Sequence, residues 1–370
     1  MANLSVNNNK LKNRVQEHPT YTFYKKYFWK QIAADHATSG RILRTIYCQF
    51  GNWCVEKGYL FANTSDTKQI WFEKIVSFLC DEDPCVKVLN GHTSYVYSVI
   101  KLNETTIVSG SMDRTLRVWD LTNNISRVLS GHTNCVNSVI KLNETTIISG
   151  SMDRTLRIWD LTDNISRVLT GHTNCVNSVI KLNETTIVSG SMDNTLRVWN
   201  LTDNTSRVLT GHTNCVNSVI KLNETTIASG SADTTLRVWD LLNDTSRELR
   251  GHTNFVQSVI KLDEETIFSC SYDRTFRIWD LLNNRSRILN WNCLAAVYSG
   301  VKLDMGTIVC GSGDNVLRVW DLTNDTSRVL NGHTRSVCSV AKLNETTIVS
   351  GSSDNTLRVW DLNKLPRQYL

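Results

Sequence analysis

The chain has 370 residues, with 40 Lys+Arg against 35 Asp+Glu and a net charge of +5. Hydrophobic residues make up 41%, with 11 Trp and 3 Pro, so there is apolar surface for a large core and wholesale disorder is excluded. No apolar stretch approaches the roughly 18 residues of a spanning helix, and so small a charge balance gives no case for a nucleic-acid partner. The start, Met1 to Ser5 followed by three Asn, lacks the pattern of a secretory signal. The 11 Cys form no CxxC pairs and are expected to be reduced thiols in the cytoplasm or nucleus. Taken in chain order, Tyr24 to Ala37 reads as an amphipathic helix. Ser65 to Cys80 reads as another, with Ile70, Trp71, Ile75, Phe78 and Leu79 at helical spacing and Ser65 or Asp66 as N-cap. Pro84 ends it, and Cys85-Val86-Lys87-Val88-Leu89 follows as a short strand.

From here a repeat governs the chain. Gly-His occurs at Gly91-His92, Gly131-His132, Gly171-His172, Gly211-His212 and Gly251-His252, a step of 40 residues, and again at Gly332-His333. Trp119-Asp120, Trp159-Asp160, Trp199-Asn200, Trp239-Asp240, Trp279-Asp280, Trp320-Asp321 and Trp360-Asp361 run in phase, which makes seven units. The sixth lacks Gly-His; Asn292-Cys293 stands there after an insertion at Asn290-Trp291. Within a unit, Val136–Leu142, Thr145–Ser151, Thr155–Asp160 and Ser166–Leu169 read as strands separated by polar turns. The turns Asn143-Glu144, Met152-Asp153-Arg154 and Asp163-Asn164 suit tight hairpins, because Asn and Asp tolerate positive φ. No unit contains Pro, as central ladder strands require. Four short strands per unit, repeated seven times, predict an all-β seven-bladed propeller over residues 85–370, with a small helical region over 1–84. The last unit supplies only three strands. The segment 85–89 matches Ser126-Arg127-Val128-Leu129 in position and is expected to complete the final blade, removing two exposed edges.

With Gly-His opening and Trp-Asp closing nearly every unit, residues 85–370 resemble the WD-repeat family. That resemblance implies seven blades and a non-catalytic platform for proteins or peptides. Trp29-Lys30-Gln31-Ile32-Ala33-Ala34-Asp35 resembles the closing helix of an F-box, and Asn52-Trp53 with Gly58 is similar to the linker of F-box/WD-repeat proteins. The opening half of an F-box is missing, so the region reads equally as an F-box remnant or as a helical cap. The resemblance implies a substrate-recognition subunit of a ubiquitin ligase, docked to a cullin adaptor, or a truncated relative; a structural assembly subunit is the alternative.

His132, Ser149, Asp153 and Trp159 recur in register in the complete units. The set looks like a triad, yet the family resemblance implies an internal hydrogen-bond network. A carboxylate fixes the His tautomer, His meets the hydroxyl, and the hydroxyl meets the indole N–H. Six of the eight His are spent in this way, and His18 and His36 have no ligands at metal spacing. No enzyme activity, cofactor or metal is expected. Cys135, Cys175 and Cys215 share one position at the start of the inner strand and read as packing. Arg117, Arg127 and their equivalents fall on the two outer strands and read as a solvated charged face.

Two positions per unit are expected at the channel mouth. One is Tyr97, Asn137, Asn177, Asn217, Gln257, Tyr298 and Cys338; the other is Met112, Met152, Met192, Ala232, Tyr272, Gly313 and Ser353. Tyr95 and Arg335 lie beside them. In F-box/WD-repeat receptors of phosphorylated degrons, arginines occupy such positions, and here none does. The expected ligand is therefore an unphosphorylated, partly apolar protein segment or peptide.

Overall fold

In the computed structural model, described over residues 84–289, 296–324 and 326–364, the chain forms seven antiparallel four-stranded sheets. The predicted helices and the F-box-like stretch lie outside the described residues. Pro84–Asn363 form one compact unit. Blade two shows the common plan. Its strands are Val136–Lys141, Thr146–Ser151, Leu156–Asp160 and Ile165–Leu169, each paired to the next. The innermost strand of each blade touches the innermost strands of both neighbours, which closes a ring around a central axis. The second strand, Thr146–Ser151, is buried at every position after its first because it lies between two sheets. Only small side chains fit at its end: a Cβ on Gly150 would lie 2.6 Å from Val176 Cγ1 of blade three.

Each core sits between blades rather than inside one. Leu142, Ile148, Leu156, Ile158 and Leu169 of blade two pack on Val176, Val179, Ile187 and Trp199 of blade three. Burying each such aliphatic side chain is worth about 1.5–3 kcal/mol. Blades five and six vary this joint. Cys270 occupies the glycine position, and Gly300 replaces the valine that would face it. Phe268 and Phe276, stacked at 5.6 Å, fill the remaining space.

The turns differ from expectation in one respect. In the turn after the second strand, positive φ falls on the residue following the aspartate, even where that is Arg154 (φ 73°) or Thr234 (φ 73°). Asp153 Oδ1 accepts the backbone N–H of Thr155 at 3.0 Å and its hydroxyl at 2.6 Å. The carboxylate pins both ends of the turn, and the residue between must adopt the left-handed conformation. The Asn143 turn needs no positive φ, because Asn143 Oδ1 accepts the Thr145 N–H at 3.0 Å.

Of the basic rows, Arg127, Arg167, Arg207 and Arg247 are exposed as expected, whereas the Arg117 row is half-buried, and both rows also make hydrogen bonds. Arg117 lies over the Trp119 ring at 5.7 Å, and its Nη1 donates to Ser126 Oγ at 3.0 Å. Arg127 Nη2 crosses to blade two and donates to Leu161 O at 2.6 Å; Arg167 does the same to Leu201 O at 3.0 Å. Lys141 Nζ reaches back to Leu102 O at 2.5 Å. The turn carbonyls face outward with no strand partner, so a long cationic side chain of the neighbouring blade satisfies them. On the inner strands, the Val139 N–H donates to Ser98 Oγ of blade one at 3.0 Å.

The ring closes as the strand count requires. Cys85–Leu89 pairs with Leu357–Asp361, and Leu89 lies opposite Leu357. A register shift between Cys85 and Lys87 puts Cys85, rather than Val86, opposite Trp360, the place Ser126 holds opposite Trp119. All three interblade ties cross the closure: Lys87 donates to Leu121 O, Lys101 to Leu343 O, and the Val99 N–H to Ser339 Oγ. A chain beginning at Gly91 should lose the outer strand of the last blade and aggregate, read as rising light scattering, whereas removal of 1–64 alone should leave it soluble. A soluble, compact chain from Gly91 would contradict this account of closure.

Candidate interaction surface at the mouth of the ring

The recurring His, Ser, Asp and Trp form one bonded chain. In blade two, Trp159 Nε1 donates to Ser149 Oγ at 2.8 Å, His132 Nε2 lies 2.7 Å from the same oxygen, and His132 Nδ1 lies 2.7 Å from Asp153 Oδ2. Ser149 is wholly buried and His132 nearly so. Burial by itself would raise the Asp153 pKa, but the hydrogen bonds from His132 and Thr155 outweigh it and hold the carboxylate well below its usual range. In blade three, burial pulls His172 below its ordinary value against the opposing pull of Asp193, so the ring is neutral near pH 7. A neutral imidazole that donates from Nδ1 accepts the serine hydroxyl at Nε2, and every donor finds an acceptor. The set is buried and its hydrogen bonds are made from within.

Blade six departs from this. Its histidine position, Cys293, lies outside the described residues, and Cys310 replaces the serine. Asp314 turns to Arg318 instead, accepting Nη1 at 3.0 Å and Nη2 at 2.5 Å. Burial raises its pKa, and the guanidinium more than offsets this and lowers it.

The network also places the rim. The Met152 N–H donates to Cys135 O at 2.9 Å, so the turn before Asp153 and the start of the inner strand share one end of the blade. Every inner strand carries a register shift at its second residue, which sets Tyr97, Asn137, Asn177, Asn217, Gln257, Tyr298 and Cys338 outside the ladder. A bulge re-aims the side chain it carries.

The structure divides these positions into two arcs. On blades two to four the amides are tied inward: Asn137 Nδ2 donates to Val176 O, Asn177 Nδ2 to Val216 O and Asn217 Nδ2 to Val256 O, at 3.1, 3.1 and 3.0 Å. Each thus spends one amide N–H on a joint between blades and keeps a second N–H and its Oδ1. Cys175 and Cys215 lie by the carbonyls of Met152 and Met192 at 3.7 and 3.8 Å. Among the described residues no group of His, Cys, Asp or Glu is arranged to hold a metal.

Blades five, six, seven and one form the second arc. Tyr95 and Tyr97 meet edge to face at 6.3 Å, Tyr97 Oη donates to Met112 Sδ at 3.7 Å, and Arg335 Nη1 donates to Tyr95 Oη at 3.3 Å. Tyr272 meets Tyr298 at 6.4 Å and Phe255 at 6.1 Å. Phe255, 46% exposed, was not among the expected rim residues. It stands where blade one carries Tyr95 and blades two to four carry cysteine. Burial and then Tyr298 push the Tyr272 hydroxyl up to about 12, and burial with Cys135 and Cys338 raises Tyr97. Both phenols stay neutral across the physiological range. Met112, Met192 and Tyr272 are exposed, whereas Met152 and Gln257 are half-buried.

The family model described as WD domain, G-beta repeat matches residues 83–120, 123–160, 164–200, 204–240, 243–280 and 324–361, together more than half of the chain. The sixth blade has no match of its own. Among solved structures, the WD40 beta propeller domain of Doa1 is similar in fold, with 24% identity, a TM-score of 0.69, and coverage of 76% of this chain and 98% of that one. No curated protein matches the chain.

Asp193→Ala should leave His172 and Thr195 without their acceptor and destabilise the propeller by about 1–3 kcal/mol in urea unfolding. Asp314→Ala should cost less, because the Asp314 side chain is 26% exposed where that of Asp193 is 9%. Equal losses would contradict the separate roles of the two carboxylates.

Proposed function

Because the chain belongs to the WD-repeat family, whose propellers generally bind proteins or peptides and are typically non-catalytic, we propose that it is an interaction scaffold that holds an unphosphorylated, partly apolar peptide on its aromatic arc. The observation that carries this reading is the contrast between blades. Blades two to four keep near-identical, polar rims whose amides are each tied by one N–H to a neighbouring blade. The rims of blades five, six and one instead carry Phe255, Tyr272, Tyr298, Tyr95 and Tyr97. Clustered tyrosines on a rigid support give large contact area at low entropic cost. No Arg or Lys occupies either mouth position, so a doubly charged phosphate would lack its fork of donors. Arg335 is already engaged with Tyr95.

On an array of unphosphorylated and phosphorylated peptides, the full chain should retain unphosphorylated apolar sequences with weak salt dependence. Tyr97→Ala with Tyr272→Ala should weaken retention by about tenfold or more, and Arg335→Ala by less. Retention of phosphopeptides alone, collapsing as salt rises, would overturn the reading.

Within this proposal, the F-box-like Trp29 to Asp35 stretch supports service as the substrate-recognition subunit of a ubiquitin ligase, in the cytoplasm or nucleus. A cullin adaptor should then co-purify with the full chain and not with residues 82–370; its absence from both would leave a scaffold without a ligase role.

A further inference from the structure

The end of the ring opposite the mouth carries a second feature, confined to three adjacent blades. The turn after the first strand and the turn after the third strand lie together there; in blade five the Leu281 N–H donates to Glu265 O at 2.8 Å. In blades one to three these turns present Glu104, Glu144 and Glu184 beside Thr122, Thr162 and Thr202. Blades four to six depart from that polar pattern. Leu242 and Leu282 replace the threonine in blades four and five, and Met305 replaces the glutamate in blade six. At 76%, 68% and 80% exposure they are the three most exposed large apolar side chains among the described residues. The turns that bear them are joined: Arg247 of blade four donates to Leu281 O, and Lys302 of blade six to Leu262 O. Lys302, lacking the glutamate that Lys101 holds at 2.5 Å, lies against Met305 Sδ at 3.5 Å.

The charge beside this patch has also changed. Where other turns read Asn-Glu-Thr, blade five has Asp263-Glu264-Glu265 and blade six has Asp304. Glu264 alone has a cationic partner, Lys261 at 2.7 Å. Exposed apolar side chains fringed by extra carboxylates mark a contact surface, and the charge sets the sign of the partner.

We propose that this face of blades four to six docks a basic amphipathic segment of another protein, its apolar side against Leu242, Leu282 and Met305 and its cations against Asp263, Glu265 and Asp304. The surface is separate from the aromatic arc, so both can be filled at once.

The test returns the patch to the pattern of blades one to three: Leu242→Thr, Leu282→Thr, Asp263→Asn, Glu265→Thr and Met305→Glu in one full-length chain. Each new residue already occupies the equivalent turn of another blade, so the fold is preserved. The probe is a synthetic amphipathic helix of Leu and Lys, roughly four turns long, titrated by calorimetry beside the same peptide with Glu for Lys. The native chain should bind the Lys peptide, and the restored chain should bind it at least about tenfold more weakly. Binding should fall as salt rises, and Tyr97→Ala with Tyr272→Ala should leave it unchanged. Equal binding by native and restored chains, or equal binding of the Glu peptide, would overturn the proposal. Sedimentation of the native chain alone covers the rival occupant: a dimer that the restored chain loses would assign the patch to a second copy and would equally overturn it.

Discussion

A single buried hydroxyl fixes the geometry of each regular blade. Ser149 lies in an apolar wedge between two sheets with no water to satisfy it. It accepts the Trp159 indole N–H and donates to His132, and His132 is held in the right tautomer by Asp153. An unmet donor or acceptor there costs about 1–3 kcal/mol, so the four side chains stand together. Through them the loop entering the blade, its second strand, its turn and its third strand take one arrangement. The position of Met152 and the strained backbone of Arg154 follow from where Asp153 must sit.

Between blades a different device operates. Turn carbonyls without strand partners receive Arg and Lys side chains from an adjoining sheet, inner-strand serines accept a neighbour's backbone N–H, and glycine on one blade admits valine from its neighbour. These joints persist in blade six, where cysteine replaces the network serine. In blade six Lys302 still reaches Leu262 O and Ser299 still accepts the Val340 N–H, while Asp314 takes Arg318 as a new partner. A blade that has lost its serine is therefore retained in the ring by its edges.

Much of this was legible in the residues. Gly-His and Trp-Asp in phase locate the strands to within a residue, because turn and network residues must recur with the sheet. The closing strand follows from counting. Two features were hidden for one physical reason: they depend on the neighbouring blade rather than on local sequence. Arg127 is exposed on an outer strand, as its position suggests, but its bond to Leu161 O of the next blade is visible only in the fold. Asn137 looks like a free amide until Val176 O is seen to take its N–H. Phe255 has no marker of its own in the repeat, and only the fold sets it edge to face with Tyr272 of the same blade. The bulge at Cys85 was hidden as well, since matching Val86 to Ser126 assumes an unbroken ladder.

The strand 85–89 has a consequence for cooperativity. Arg358 Nη1 meets Cys85 Sγ at 3.5 Å across 273 positions of chain. In an open array each unit leans only on its neighbours, and the terminal units fray first. Here the first strand lies in the last sheet, so no blade of the ring is terminal and none has a free end from which to fray. The entropy lost in joining such distant segments grows only logarithmically with the chain between them. One five-residue strand thereby turns a row of locally bonded units into a body that opens as a whole.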